Sequence, residues 1–189
     1  MRRYWFPKTY ADLVAKLRVP SGFLLVAAFA YFAAPDATSL EMGIPVSIAG
    51  LLLRAWAAGH LAKNRNLATS GPYAYSRNPL YVGTLLVAAG LVIASQRWLL
   101  AALFGGVFLL IYLPVIELEE QHLRKLFPDY GDYAAKVPML LPLGRLPSNQ
   151  GFQRALYIKN QEYQALAGYL LGLLLLVWKA GLLTGTQGQ

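Results

Sequence analysis

Five stretches of the chain are apolar on every side for long enough to cross a bilayer, and no other feature restricts its fold so sharply. They cover roughly residues 19–35, 43–61, 79–95, 98–116 and 163–183. A hydrocarbon core about 30 Å thick takes about 20 such residues as a helix. Inside it the backbone must satisfy its own hydrogen bonds, which helices do segment by segment. The expected fold is all-α: an integral membrane bundle of five transmembrane helices with short interfacial or cytoplasmic helices beside them.

A net charge of +8 and a pI near 9.8 suit a nucleic-acid partner by themselves. The placement of the charge argues against one. Arg2, Arg3, Lys8, Lys16 and Arg18 precede the first span, and Lys63, Arg65 and Arg77 lie between the second and third. Arg124, Lys125, Lys136, Arg145, Arg154 and Lys159 lie between the fourth and fifth, whereas the other connections hold Asp36, Glu41 and Arg97. Alternate loops are basic, so the N-terminus is expected in the cytoplasm of a multi-pass inner or plasma membrane protein. Five spans then put the C-terminus on the opposite side. Anionic lipid headgroups account for the basic surplus, and no nucleic acid is expected.

The chain has no cysteine, which excludes disulfides, thiolate nucleophiles and cysteine metal sites. His60 and His122 do not complete a zinc site without carboxylate help, and no metal is expected. "FAAPDA" resembles a signal cleavage site, but the basic region before the first span is 18 residues long and favours an uncleaved anchor.

"TYADLVAKLR", residues 9–18, has helical apolar spacing, a capping box from Thr9 to Asp12 and Pro20 just beyond it. It is expected as a short interfacial helix. Trp5, Phe6, Trp98 and Trp178 fall near the membrane boundaries, where aromatic rings anchor. Arg54 lies about two turns inside the second span, where an arginine costs about 2.5–3.5 kcal/mol unless it snorkels. It either snorkels or answers a buried carboxylate or an anionic substrate group. "GYLLG" in the fifth span suits close helix packing or a homodimer.

Two polar stretches face the cytoplasmic side. In the first, Gly71-Pro72 makes a turn, and Asn78 followed by Pro79 is expected to cap and start the third span. Tyr73, Tyr75, Arg77 and Tyr81 crowd around that start. They form either an aromatic belt or a wall for a flat heterocycle bearing a carboxylate or phosphate. In the second, Pro114 is expected to kink the fourth span. Beyond it, Glu117 and Glu120 fall on a wet face, Glu120 with Arg124 at i+4. Glu119 aligns with Val115, Ile116, Leu123 and Leu126, an apolar stripe on which a carboxylate needs a partner. Arg54 and Arg65 are the candidates if its role is structural. The segment after Phe127 is expected to fold back as a lid over a shared pocket.

"TSGPYAYSRNPLYVG", a membrane hairpin and "ELEEQHLRKLFPDYGDYAAKVPMLLP" together resemble the isoprenylcysteine carboxyl methyltransferase and phospholipid methyltransferase superfamily. The resemblance covers about residues 45–142 of a single membrane domain, with motifs at 65–83 and 114–142. Residues 143–189, with the fifth span, lie outside it. It implies S-adenosylmethionine as cofactor, a lipophilic or lipid-linked substrate and an active site at the cytoplasmic face. Matched by motif position, it implies cofactor binding by Arg65, Asn66, Leu67, Ala68, Tyr73, Asn78, Pro79, Leu80, Tyr81 and Glu119. Glu119 or Glu120 would assist an amine acceptor, and Arg54 is the candidate for substrate binding. Asn78 stands where the family has histidine, and Val115 where prenylcysteine-methylating members have arginine, so a different amphiphile is expected. The alternatives are a lipid-amine N-methyltransferase, an NADPH-dependent lipid reductase and a non-catalytic scaffold.

Overall fold

The structure, a computed structural model, describes residues 5–144, 146 and 150–182. Arg2, Arg3, Arg145 and the last residue of the fifth apolar stretch lie outside the described residues. Within them the chain is helical, in the order α1 (Lys8–Phe32), α2 (Ala37–Ala58), a 3₁₀ turn (Gly71–Ala74) and α3 (Pro79–Ser95). Then follow α4 (Trp98–Val107), a π turn (Phe108–Tyr112), α5 (Leu113–Leu126), α6 (Tyr130–Lys136), α7 (Arg154–Lys159) and α8 (Tyr163–Lys179). Three units are long and apolar enough to span a bilayer: α1, α2 and the continuous run Trp98–Leu126. The apolar helices α3 and α8 have 17 residues each, the short end of the spanning range of about 17–25.

The separate interfacial helix expected over residues 9–18 is the first part of α1, and Pro20 lies inside that helix. Pro20 removes the N–H that would reach the Lys16 carbonyl, one turn earlier, and the helix continues through it; Ser21 Oγ donates to the Arg18 carbonyl at 3.0 Å beside it. The capping box at Thr9 does not form, since α1 already starts at Lys8 behind Pro7. Its entry is held instead by Glu117, whose carboxylate accepts from the N–H groups of Trp5 and Phe6 at 2.8 and 3.2 Å. A capping box does start α2, where Asp36 and Ser39 exchange hydrogen bonds.

Pro114 acts through the π turn that precedes it. Leu113 N–H reaches back to the Phe108 carbonyl, five residues earlier, so the helix widens by one residue instead of breaking. The Leu110 carbonyl, deprived of the donor that proline lacks, accepts the Tyr10 hydroxyl of α1 at 2.7 Å.

The most extensive packing joins α2 to α3 along a seam of small residues. Gly43, Ser47 and Gly50 face Gly83, Gly90 and Ala94, so closely that a methyl group on Gly43 overlaps the Gly90 carbonyl. Ser47 Oγ adds a bond to the Val87 carbonyl at 3.1 Å. A methyl group added at Gly168 or Gly172, the glycines of "GYLLG", meets nothing within 4 Å.

Ala33, Leu40, Ala94, Leu100 and Leu176 form one buried cluster. It gathers the end of α1, the start of α2, the end of α3, the start of α4 and the end of α8. The opposite ends of α2, α3, α5 and α8 therefore meet at the other pole, where the basic connections lie.

Candidate functional site

At that pole a cavity of about 880 Å³ opens between the end of α2, the start of α3, α5 and the start of α8. Small-molecule sites usually have about 300–1,000 Å³. Its frame is an ion pair. Arg77, just before α3, presents Nε and Nη2 to the two oxygens of Glu120 on α5 at 2.7 and 3.0 Å. The side chains are only 3% and 7% exposed, which the bidentate geometry makes tolerable. Arg77 Nη1 also donates to the carbonyls of Ala134 and Val137, at 2.9 and 2.8 Å, tying α6 to the same point.

Asn78 occupies the N-cap position before Pro79, but its side chain does not cap the helix. Its amide donates instead to Glu120 Oε1 at 3.3 Å and to the Met139 carbonyl at 3.1 Å. The carboxylate and the carbonyl take the amide N–H donors, and this orients the side chain away from the helix start. The segment after Phe127 folds back as expected. Tyr133 donates to the Tyr73 carbonyl at 2.8 Å, and the N–H of Gly144 to the Tyr75 carbonyl at 2.9 Å. Burial pushes the phenols of Tyr73 and Tyr133 well above the usual tyrosine range, so both remain protonated donors.

The two neighbouring glutamates exchange the places expected of them. Glu120, assigned to the wet face, is buried, and Glu119, assigned to the buried stripe, is exposed to the cavity. The buried face of α5 runs through Val115, Ile116 and Glu120 because Arg77 waits there with a complete fork of donors. Glu119 Oε1 accepts from Tyr81 Oη at 3.1 Å and from Arg18 Nη1 of α1 at 3.2 Å. The Arg18 guanidinium also lies over the rings of Tyr81 and Tyr112, 5.5 and 5.9 Å from their centroids. Two aromatic faces and a carboxylate thus hold a cation at the cavity wall.

Arg54 stands one turn from the end of α2, closer to the polar boundary than the expected span put it. Its Nε pairs with Glu162 at the start of α8, and its Nη1 donates to the Thr84 hydroxyl and to the Leu80 carbonyl. Gly83 leaves the room its stem occupies, since a methyl group there lies 2.5 Å from Arg54 Cγ.

Of the residues expected at the site, Asn66, Leu67, Ala68, Tyr73, Asn78, Leu80, Tyr81, Glu119 and Arg54 line this one cavity. Arg65 is exposed outside its wall, Pro79 is buried behind it, and Glu120 braces it through Arg77. Sequence reasoning missed Arg18, Tyr112, Thr84, Asn160 and Glu162, which also line it. Glu162 carried a signal: it is the last acidic residue of the chain and stands at the mouth of an apolar helix. Among the described residues no three histidine, aspartate or glutamate side chains gather as a metal-ligand set.

The profile of the phospholipid methyltransferase family matches residues 42–130. Protein-S-isoprenylcysteine O-methyltransferase of Schizosaccharomyces pombe is 31% identical over 142 residues, 72% of this chain and 60% of that protein. A cobalt-zinc-cadmium resistance protein of Cupriavidus metallidurans is 35% identical over 103 residues, 53% of this chain and 46% of its own length. A nickel-cobalt-cadmium resistance protein of Alcaligenes xylosoxydans xylosoxydans is 34% identical over 103 residues, with 53% and 47% covered. The chain thus spans about half the length of these two relatives. No solved structure matches it.

Proposed function

The chain belongs to the phospholipid methyltransferase superfamily, to which isoprenylcysteine methyltransferases also belong, and from that premise we propose that it methylates an amphiphilic acceptor with S-adenosylmethionine at the cytoplasmic face of the membrane. One observation carries the reading: Glu119, Tyr81 and Tyr112 already cradle a cation, the guanidinium of Arg18, at the wall of the cavity. That donor set fits a cofactor bearing positive charge. When bound, S-adenosylmethionine supplies an electrophilic methyl carbon on a sulfonium.

The chain's own residues do the holding. Asn66, Leu67, Ala68, Tyr73, Asn78, Leu80 and Tyr81 form the cofactor wall, and Glu119, whose charge Arg18 now neutralises, attracts the positive charge of the cofactor. Pro79 serves by starting α3, whereas Arg65 stays outside this reading. Tyr112, Val115 and Leu118 give the acceptor an apolar flank. Their contribution is orientation, and effective alignment of two reactants supplies roughly 7–11 kcal/mol. Glu119 is the carboxylate with access to an acceptor proton. Glu120 is a positioning residue, because Arg77 and Asn78 engage both its oxygens. The metal-resistance names of two relatives find no matching ligand set among the described side chains.

The test is transfer of a radiolabelled methyl group from S-adenosylmethionine into the organic extract of membranes carrying the protein. Label is expected with the wild type and at least tenfold less with Glu119→Gln. Equal label in wild-type, variant and empty membranes overturns the proposal.

A further inference from the structure

Every arginine that lines the cavity is matched by a carboxylate of the same chain: Arg18 by Glu119, Arg77 by Glu120 and Arg54 by Glu162. The third pair differs from the others in its origin. Glu162 comes from the chain beyond residue 130, where the family match ends. It is also firmly held. Asn160, two residues earlier, donates to the carbonyls of Ala58 and Leu61, both at 2.9 Å, and so fastens this segment to the end of α2. The N–H of Gln153 donates to the Gly59 carbonyl at 2.9 Å, a second fastening of the same kind. The Glu162 side chain is 9% exposed and that of Arg54 is 23% exposed, and both border the cavity.

A guanidinium in a partly buried wall is a strong receptor for a carboxylate or phosphate, provided it is free. Here it is not free. An anionic head group gripping Arg54 through its Nε edge must displace an anchored carboxylate, and one reaching Nη2 alone must lie beside that carboxylate, a like-charge contact in a medium of reduced dielectric. A neutral head group faces neither cost. Thr84 and the Leu80 carbonyl take up Nη1 and Glu162 takes up Nε, so the guanidinium offers an anion only Nη2, beside the Glu162 charge.

We propose that Glu162 is a specificity-determining residue: it withholds Arg54 from anions, so that the site takes amphiphiles with a neutral hydroxyl or amine head group and turns away carboxylates and phosphates. The word acceptor for such a ligand rests on the methyltransferase reading. The charge selection belongs to the cavity alone.

The test is calorimetric titration of octanoate and of octanamide, equal in chain length and different in charge, into the protein in neutral-lipid nanodiscs, with empty nanodiscs subtracted. The wild type is expected to bind octanamide at least as tightly as octanoate. Glu162→Gln is expected to bind octanoate at least tenfold more tightly than the wild type, with octanamide changed less than twofold. Adding Arg54→Gln to that variant is expected to abolish the gain. A wild-type preference for octanoate, binding of neither probe, or a Glu162→Gln variant with unchanged octanoate affinity overturns the proposal. The wild-type comparison needs no variant to fold. S-adenosylhomocysteine titrated into the same samples separates the two readings, since its failure to bind contradicts methyl transfer and leaves the head-group preference measured.

Discussion

Removing the charge of a buried carboxylate leaves its partner's charge stranded, whereas the same change on a half-exposed one leaves water to take over. Glu120→Gln strands the Arg77 guanidinium, 3% exposed, and is expected to cost about 3–5 kcal/mol. A large fall in the unfolding temperature of the detergent-purified protein is the readout. Glu119→Gln is expected to cost about 1 kcal/mol or less, because that pair is nearly half exposed. Its loss should appear in ligand binding. His60 gives a pH dependence of known sign. Burial pulls its pKa below the usual 6.5, while the unfolded chain protonates at the ordinary value. The unfolded state then binds more protons, and stability falls as pH drops through about 6.5. Melting should be lower at about pH 5.5 than at about pH 7.5, by a margin that His60→Gln reduces. At this scale Tyr73, Tyr81 and Asn78, singled out as a polar and aromatic cluster at a helix start, do line the cavity, and so does the 66–68 stretch, which only the family resemblance implied; Tyr75 does not. Which of Glu119 and Glu120 is buried was not legible. Both have apolar neighbours at helical spacing, and the residue that decides, Arg77, lies 43 positions away.

The helices were legible where composition alone decides them. Apolar runs located α2, α3, α4 and α8, but a breaker rule misplaced the first helix. Pro20 tends to end a helix in water, yet α1 continues through it. The π turn was likewise hidden, since its cost is shared with Tyr10, about 100 residues away in sequence. Tyr10→Phe is expected to destabilise by about 1 kcal/mol, read by thermal unfolding, with the fold intact. The small-residue seam of α2 and α3 was overlooked in favour of "GYLLG", because spacing identifies such patterns and only a facing partner gives them meaning. Gly90→Val forces the seam apart, for a methyl group there already collides with Ser47 and Gly43. Overpacking of this kind costs about 1–3 kcal/mol, and limited proteolysis or melting should reveal it, while Gly172→Val should be nearly silent.

For the whole molecule, alternate basic loops and alternate helix ends agree. Lys63 and Asp129 lie toward the cavity pole, whereas Asp36 and Glu41 lie toward the other. The chain has no cysteine, so single cysteines at these positions report sidedness without background. Lys63→Cys and Asp129→Cys are expected to label from the cytoplasmic face only, and Glu41→Cys from the opposite face only. The reverse pattern contradicts the orientation. What composition did not convey at this scale is that the junction between α7 and α8, beyond the family-matched region, closes the site through Asn160 and Glu162. The most direct measurement is calorimetric titration of S-adenosylhomocysteine into nanodisc-embedded wild type, Glu119→Gln and Arg18→Gln. Micromolar binding to the wild type, at least tenfold weaker in Glu119→Gln and undiminished in Arg18→Gln, is the expected result. Absence of binding to the wild type, or equal affinity in wild type and Glu119→Gln, contradicts the assignment of this cavity to the methyl donor.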